Sequence, residues 1–425
     1  MRDEDVQVVG RGLGRFDFRR FSRNARLFFA FTFLYSSGLA LYSVFYNLYL
    51  LRLGYREDFI GLMAAMVPLA SGLCAIPIGM GSDRWGRRPF LICASIVLAA
   101  SQVGLCLGGR SSTLLFLAFL SGVSPAMVYV TQVPLLSESS RQEERGILIS
   151  LAFSVYIVTR MLMSLLGGQM PGWLAHWIGS TLENPEPFRY TLLLGVALTA
   201  SSVIPAWKIR EARVSRPPGP HSIEGVTALG LVPWAIMLTF MATSALRGIS
   251  MGISSPFFSV YFQEKTHATP PDIGFIFFFA QLMSVPSAVV SPGLARRVGT
   301  VVSLLILRLI GGLALIFLGA GSGLFGAFWI FMVFSVVESL ATPQEMTLST
   351  INVPPAQWGR VQSLRVTGFQ LAAAAGSAFA GRIILGFGYE LAFAVAGLTL
   401  FGSSLLFLPV FGWGRSVGHQ TADGD

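Results

Sequence analysis

Gly79-Met80-Gly81-Ser82-Asp83-Arg84-Trp85-Gly86-Arg87-Arg88 closes one apolar stretch, 58–81, and is followed at once by another, 89–108. Runs of about 20 apolar residues are the length that crosses a bilayer core as a helix. The charged residues between them belong in water. Gly86 permits a tight turn, and Gly79 is small enough to let a neighbouring helix approach closely. Asp83 can accept from a helix N-terminus or from an arginine. Arg87 and Arg88 can pair with carboxylates and hold the turn on one side of the membrane. The segment reads as two spans joined by a short basic turn, and the fold follows from how many such spans the chain holds.

Of the 425 residues, 53% are hydrophobic and 12% charged, about half the charge of a soluble globular protein. No soluble core needs that much apolar surface. The strict alternation of an outer-membrane barrel is absent. Apolar runs fall at 27–51, 58–81, 89–108, 113–136, 147–168, 188–207, 233–263, 272–293, 300–320, 323–346, 359–384 and 389–412. The expected fold class is therefore an all-α membrane protein with 12 transmembrane helices. An even number puts both termini on one side. Twenty of the 30 Lys and Arg lie in the termini and turns of that side, and five lie in the opposite loops. The positive-inside bias makes that side cytoplasmic and explains the net charge of +9 without nucleic acid. A multi-pass protein of a prokaryotic plasma (inner) membrane is expected, with its first span as an uncleaved anchor.

The stretch Arg210–Glu224 is polar, holds Pro217, Pro218 and Pro220, and separates six spans from six. The expected organisation is a tail (1–26), a first bundle (27–207), a linker (208–232), a second bundle (233–412) and a tail (413–425). A repeat at half the chain length is present. Gly86 matches Gly299, Ile60-Gly61 matches Ile273-Gly274, Gly146 matches Gly359 and Phe45 matches Phe258, all at an offset of 213. Two parallel-related halves are a transporter architecture with its solute site near the midplane.

The turn at 79–88 resembles the signature loop between helices 2 and 3 of the major facilitator superfamily (MFS): Gly, three residues, Asp, Arg, any, Gly, two basic residues. A pale copy stands at Pro292 to Thr300, with Arg296 in place of the acid. With the spans and the repeat, the resemblance covers residues 27 to 412. It implies two pseudo-symmetric six-helix bundles and a cytoplasmic latch made of Gly79, Asp83, Arg84, Gly86, Arg87 and Arg88. Glu138 and Arg145, spaced as in the family's sugar-porter branch, would join that latch; the same spacing also suits a solvated charged turn. Trp358 stands at the second-half position of Arg145, so the latch is expected to be stronger in the first half. The family's drug/proton antiporters carry a Gly-Pro motif in span 5. Here Thr159-Arg160 occupies its place, and only Gly167-Gly168 remains at the outer end.

Charges at mid-span cost about 2.5–3.5 kcal/mol each on insertion scales, so they face a cavity or a partner. Arg160, Arg247 and Glu338 lie near mid-depth on spans that the resemblance places around the central path. Arg160 and Arg247 suit a carboxylate or phosphate by their planar forks. Glu338 is the natural proton site, or else a structural partner of Arg247. Glu345 with Arg308 or Arg365 reads as a structural ion pair. Tyr35, Tyr42 and Tyr46 share one face of span 1, where they can bind solute or pack at the bundle interface. Asn47, Gln132 and Gln281 complete the candidate substrate-binding set, with Tyr129 and Gln370 as weaker picks. Gly248 and Gly252 favour close packing, and Pro125 and Pro286 mark helices that can bend.

No phosphate-cradling loop is present, the four histidines are scattered, and Cys74, Cys93 and Cys106 sit in apolar runs without metal spacing. The protein is expected not to be an enzyme, to need no cofactor or metal, and to act as a monomer. The leading expectation is a proton-coupled symporter of a small organic anion or polar metabolite. Its rivals are a multidrug/proton antiporter and, from another class, a membrane sensor or lipid flippase.

Overall fold

The computed structural model describes residues 21–138, 145–210, 234–321, 323–351, 353 and 357–411. Helices α1 (Arg23–Arg52), α2 (Glu57–Trp85), α3 (Arg88–Leu107), α4 (Ser111–Glu138) and α5 (Arg145–Ile178) come first. Helix α6 (Glu186–Ser201) continues as Val203–Lys208, and α7 (Trp234–Ser254) continues through Ser255–Phe257 into Phe258–Thr266. Then come α8 (Pro270–Val298), α9 (Thr300–Gly319) and α10 (Leu324–Ile351). The last long element, Trp358–Leu405, is 48 residues, about 72 Å of helix against a bilayer core of about 30 Å. It breaks at Gly388, where φ is 81°, giving α11 (358–387) and α12 (389–405). Among the described residues there is no strand.

Ten helices are long and apolar enough to cross a membrane, or eleven when Pro270–Ser287 and Val289–Val298 count as one bent span. That bend, 53° within α8, follows directly on Pro286, whose missing N–H and ring open the helical ladder. Helix α5 runs past the expected end at 168 to Ile178, because Gly167-Gly168 stays helical under contact from other helices.

The quoted turn behaves as its glycine dictates. Helix α2 ends on Gly86 at φ 96°, a conformation that a Cβ resists, and α3 starts two residues later with Pro89 in its first turn. Its repeat, Gly299 at φ 88°, does the same between α8 and α9. Phe45 and Phe258, the aromatic repeat pair, are both buried.

Each half packs mainly on itself. In the first, α1 lies against α5 and α6, and α4 against α2 and α3; in the second, α7 lies against α11, α9 against α10 and α12, and α8 against α10. Gly248, Gly252 and Gly376 set the α7–α11 spacing. A Cβ on any of them would strike the backbone of Phe369, Ala373 or Ile249.

The halves meet where α2 crosses α11 and α5 crosses α8. At the end away from the Asp83 turn, Gly61 packs on Ser377 and Gly381, and Gly381 lies on the backbone of Glu57 and Asp58. On the other side of the molecule, Gly274 packs on Ser164 and Gly168. Gly61 and Gly274 are repeat partners, and Gly168 and Gly381 stand at the same offset of 213. The two contacts are therefore one contact made twice, and together they seal this end by backbone apposition. Asn47 Nδ2 adds a hydrogen bond to the Pro256 carbonyl, 2.6 Å, across the same boundary.

Gly274→Trp should force the halves apart at the sealed end. In protein whose three native cysteines are replaced, Ser377→Cys is buried and should label slowly with a maleimide. The added Gly274→Trp should raise that rate several-fold, whereas an unchanged rate would show that the seal does not need its glycines.

A central cavity pair and a chain of buried charges

Two cavities run along the inner face of the first bundle, and α11 contributes to the wall of each. One, about 380 Å³, is walled by Tyr42, Ser43, Tyr46 and Asn47 of α1, Met63 and Val67 of α2, Gln102 of α3, and Met251, Phe369 and Ser377 of the second half. The other, about 350 Å³, is walled by Phe31 and Tyr35 of α1, Tyr129 and Gln132 of α4, Phe153 and Tyr156 of α5, and Val366 and Gln370 of α11. Leu39 and Pro125 belong to both walls, so the cavities meet near the middle of α1. No charged side chain stands in either wall.

Of the tyrosine face, Tyr35 lines the second cavity, and Tyr42 and Tyr46 line the first. Each also packs. The Tyr35 hydroxyl lies 2.7 Å from Ser124 Oγ, and the Tyr42 hydroxyl donates to the Gln102 carbonyl at 2.6 Å. The Tyr46 hydroxyl and Gln102 Oε1 are buried and have no hydrogen-bond partner among the described residues. Gln132 lines the second cavity, and Gln281 lines neither.

Arg160 of α5 stands between the two spaces. Its Nη1 donates to the Tyr156 hydroxyl at 3.2 Å and its Nη2 to Ser43 Oγ at 3.4 Å, one residue from each wall. Its guanidinium lies 5.5 Å from the Tyr156 ring centroid. Among the described residues no carboxylate pairs with it. Two hydroxyl bonds and one ring contact are therefore its partners among the described residues, where a mid-membrane charge costs roughly 2.5–3.5 kcal/mol on insertion scales.

Arg247 is placed differently. Its Nε donates to Glu338 Oε1 at 2.7 Å and an Nη to Thr342 Oγ1 at 2.9 Å, and it lies over the Phe369 ring that walls the first cavity. Glu338 Oε2 continues to Arg308 at 3.1 Å, Arg308 to Glu345 Oε2 at 2.7 Å, and Glu345 Oε1 to Arg365 at 2.9 Å. Five charges from α7, α9, α10 and α11 thus form one chain, and the expected pairs Arg247–Glu338 and Glu345 with Arg308 or Arg365 are its links. The Arg247 and Glu338 side chains are 19% and 17% exposed, while Arg308, Glu345 and Arg365 are 3%, 4% and 8% exposed. One end touches the cavity wall and the other is sealed in the second bundle. Pairing was foreseeable from charge alone, but not its continuity. Ser43, Tyr156 and Gln102 carried no signal in the sequence beyond being polar in apolar runs.

In the Asp83 turn, Arg87 Nη1 bonds Asp83 Oδ1 at 2.6 Å and Ser82 Oγ at 2.7 Å. Arg88 lies over the Trp207 ring at 5.4 Å, and Arg84 is exposed. Gly79 faces Val130 of α4. The side chains of Glu138 and Arg145, and residues 139–144 between them, lie outside the described residues.

The sequence profile of the Major Facilitator Superfamily matches residues 28–344 and again 240–420. This chain belongs to the Major Facilitator Superfamily. The MFS fold is seen equally in solved structures. A nucleoside transporter, NupG, superposes with a TM-score of 0.73 at 12% identity, over 90% of this chain and 99% of its own. A bacterial homologue of the human lysosomal transporter Spinster, titled as inward-facing and unoccupied, gives 0.68 at 16% identity, over 91% of this chain and 95% of its own. Among curated relatives, the "Putative metabolite transport protein YfiG" of Bacillus subtilis is 29% identical over 136 residues, 32% of this chain and 26% of its own length. The "Multi-drug resistance efflux pump PmrA homolog" of Lactococcus lactis is 26% identical over 183 residues, 42% of each chain. The match thus spans less than half of either relative's length. As an MFS protein the chain is a multi-pass membrane protein.

Removing one partner from a buried ion pair costs about 3–5 kcal/mol because the other charge is stranded. Glu345→Gln strands the deeply buried Arg365 and leaves Arg308 with Glu338 alone, whereas Glu338→Gln strands the more exposed Arg247 and leaves Arg308 with Glu345. In thermal unfolding of detergent-purified protein, Glu345→Gln should lower the melting temperature by at least twice as much as Glu338→Gln.

Proposed function

We propose that this protein is a secondary transporter that carries a small organic anion or related polar metabolite, coupled to protons, by rocking two six-helix bundles about the central cavities. The observation that carries the reading is Arg160: an arginine with no carboxylate partner among the described residues, inside a membrane span, held by hydroxyls from both cavity walls. An arginine fork is suited to a carboxylate or phosphate. The distribution of basic residues supports an orientation with the Asp83 turn and both termini on the cytoplasmic side of a plasma (inner) membrane. On that orientation the glycine seal closes the outer end, and the Asp83 turn belongs to the end that opens.

Glu338 is the group through which protons would enter the cycle. It bridges Arg247, beside the cavity wall, and Arg308, inside the bundle. Protonation would remove the charge that both arginines share and release Arg247 toward the cavity. The solute and the proton would then act on one another through a single guanidinium. In proteoliposomes, Glu338→Gln should abolish pH-driven uptake and spare counterflow; pH-driven uptake that survives would remove Glu338 from this role. Arg160→Ala should abolish both activities, and Arg160→Lys should retain part of counterflow.

A second reading is drug export. The relative named as a multidrug efflux pump and the uncharged cavity walls favour it. Stabilisation of the purified protein by lipophilic cations, unchanged in Arg160→Ala, would select it over the anion reading.

A further inference from the structure

We infer that the solute is an amphipathic monoanion, with one singly charged head group held at Arg160 and an apolar body lying in the larger cavity. The inference rests on the anion reading above and narrows it. Three observations on the site itself carry it.

The first is charge count. Arg160 is the one cation placed against the cavities without a carboxylate among the described residues, since Arg247 is held by Glu338. A dianion would leave its second charge against walls that hold no charged side chain, and an unpaired charge out of water is disfavoured. A single negative charge is what the site neutralises.

The second is the character of the walls. Around the larger cavity Leu39, Met63, Val67, Leu98, Met251 and Phe369 present apolar surface. The same wall holds Ser43, Tyr46, Asn47 and Gln102, but any hydroxyl of a sugar phosphate that lay against its apolar part would need a hydrogen bond that part does not supply. An aryl or alkyl body is stabilised there by about 25 cal/mol for each Å² that it removes from water.

The third is size. A cavity of about 150 Å³ lined by aliphatic side chains takes one benzene ring. The space of about 380 Å³ is more than twice that. A body of one aromatic ring with a short alkyl spacer fits, and Ser43 in the same wall is the contact that ties this space to Arg160.

The test is thermal unfolding of the full-length detergent-purified protein with 4-phenylbutyrate, succinate, glucose 6-phosphate or tetraphenylphosphonium. Native protein, Arg160→Ala, Arg160→Lys and Ala64→Trp are compared; Ala64 lines the larger cavity and the tryptophan fills it. Phenylbutyrate should stabilise native protein with an apparent affinity at least tenfold above that of succinate. The effect should vanish in Arg160→Ala, persist in part in Arg160→Lys, and fall by half or more in Ala64→Trp, where the arginine is intact. Stabilisation by succinate or glucose 6-phosphate that depends on Arg160, without a response to phenylbutyrate, overturns the amphipathic solute and leaves the anion reading standing. Stabilisation by tetraphenylphosphonium alone, unaltered in Arg160→Ala, overturns both. An equal phenylbutyrate response in native protein and Arg160→Ala reports partitioning into detergent and apolar surface, and also overturns the inference.

Discussion

A charge inside hydrocarbon must find a partner or face water, and that constraint organises the interior of this protein. Six charged side chains sit within the second-half chain and at Arg160. Five of them solve the problem among themselves, handing each carboxylate to two arginines from different helices. The result ties α7, α9, α10 and α11 together by charge as well as by packing. The sixth, Arg160, has only hydroxyls and a ring. Among the described residues, then, these five charges are paired with one another, while Arg160 stands beside the two cavities without a carboxylate.

This division gives the halves different characters. The second bundle is stapled by buried ion pairs and by the glycine-spaced α7–α11 contact, in which backbones lie nearly against each other. The first bundle carries most of the cavity wall and a tyrosine-rich α1, whose hydroxyls bond to α3 and α4. A rigid partner moving against a lined one is a physical basis for alternating exposure of a site. Arg247 lies at the border, behind Phe369 and joined to Glu338.

Much of this was legible in the sequence, for identifiable reasons. Span positions follow from apolar length, and the turn at Gly86 from the one residue that accepts its φ. The 213-residue repeat foretold that Gly61 and Gly274 would play the same part, and both lie at the seal. The ends of α5 and the break at Gly388 were less readable, because glycine within a helix is neutral until tertiary contacts decide. Arg160, Arg247 and Glu338 stand out in any apolar run. Which of them would be paired depends on rotamers and helix rotation that no one-dimensional pattern records. Gln281 shows the limit: a polar residue on a path-lining helix need not face the path.

The two ends of the molecule are built from different forces. The glycine seal is a contact of backbone on backbone. The end at the Asp83 turn is an assembly of arginines, a carboxylate and exposed aromatic surface beside it. Salt and the head-group charge of surrounding lipids therefore act directly on the groups that hold the Asp83 turn, whereas the seal's own contacts are backbone on backbone, with Glu57, Asp58 and Asp272 beside them. The face that carries the basic residues is thereby the one whose contacts depend on its ionic surroundings, while the opposite face is held by the shape of its glycines.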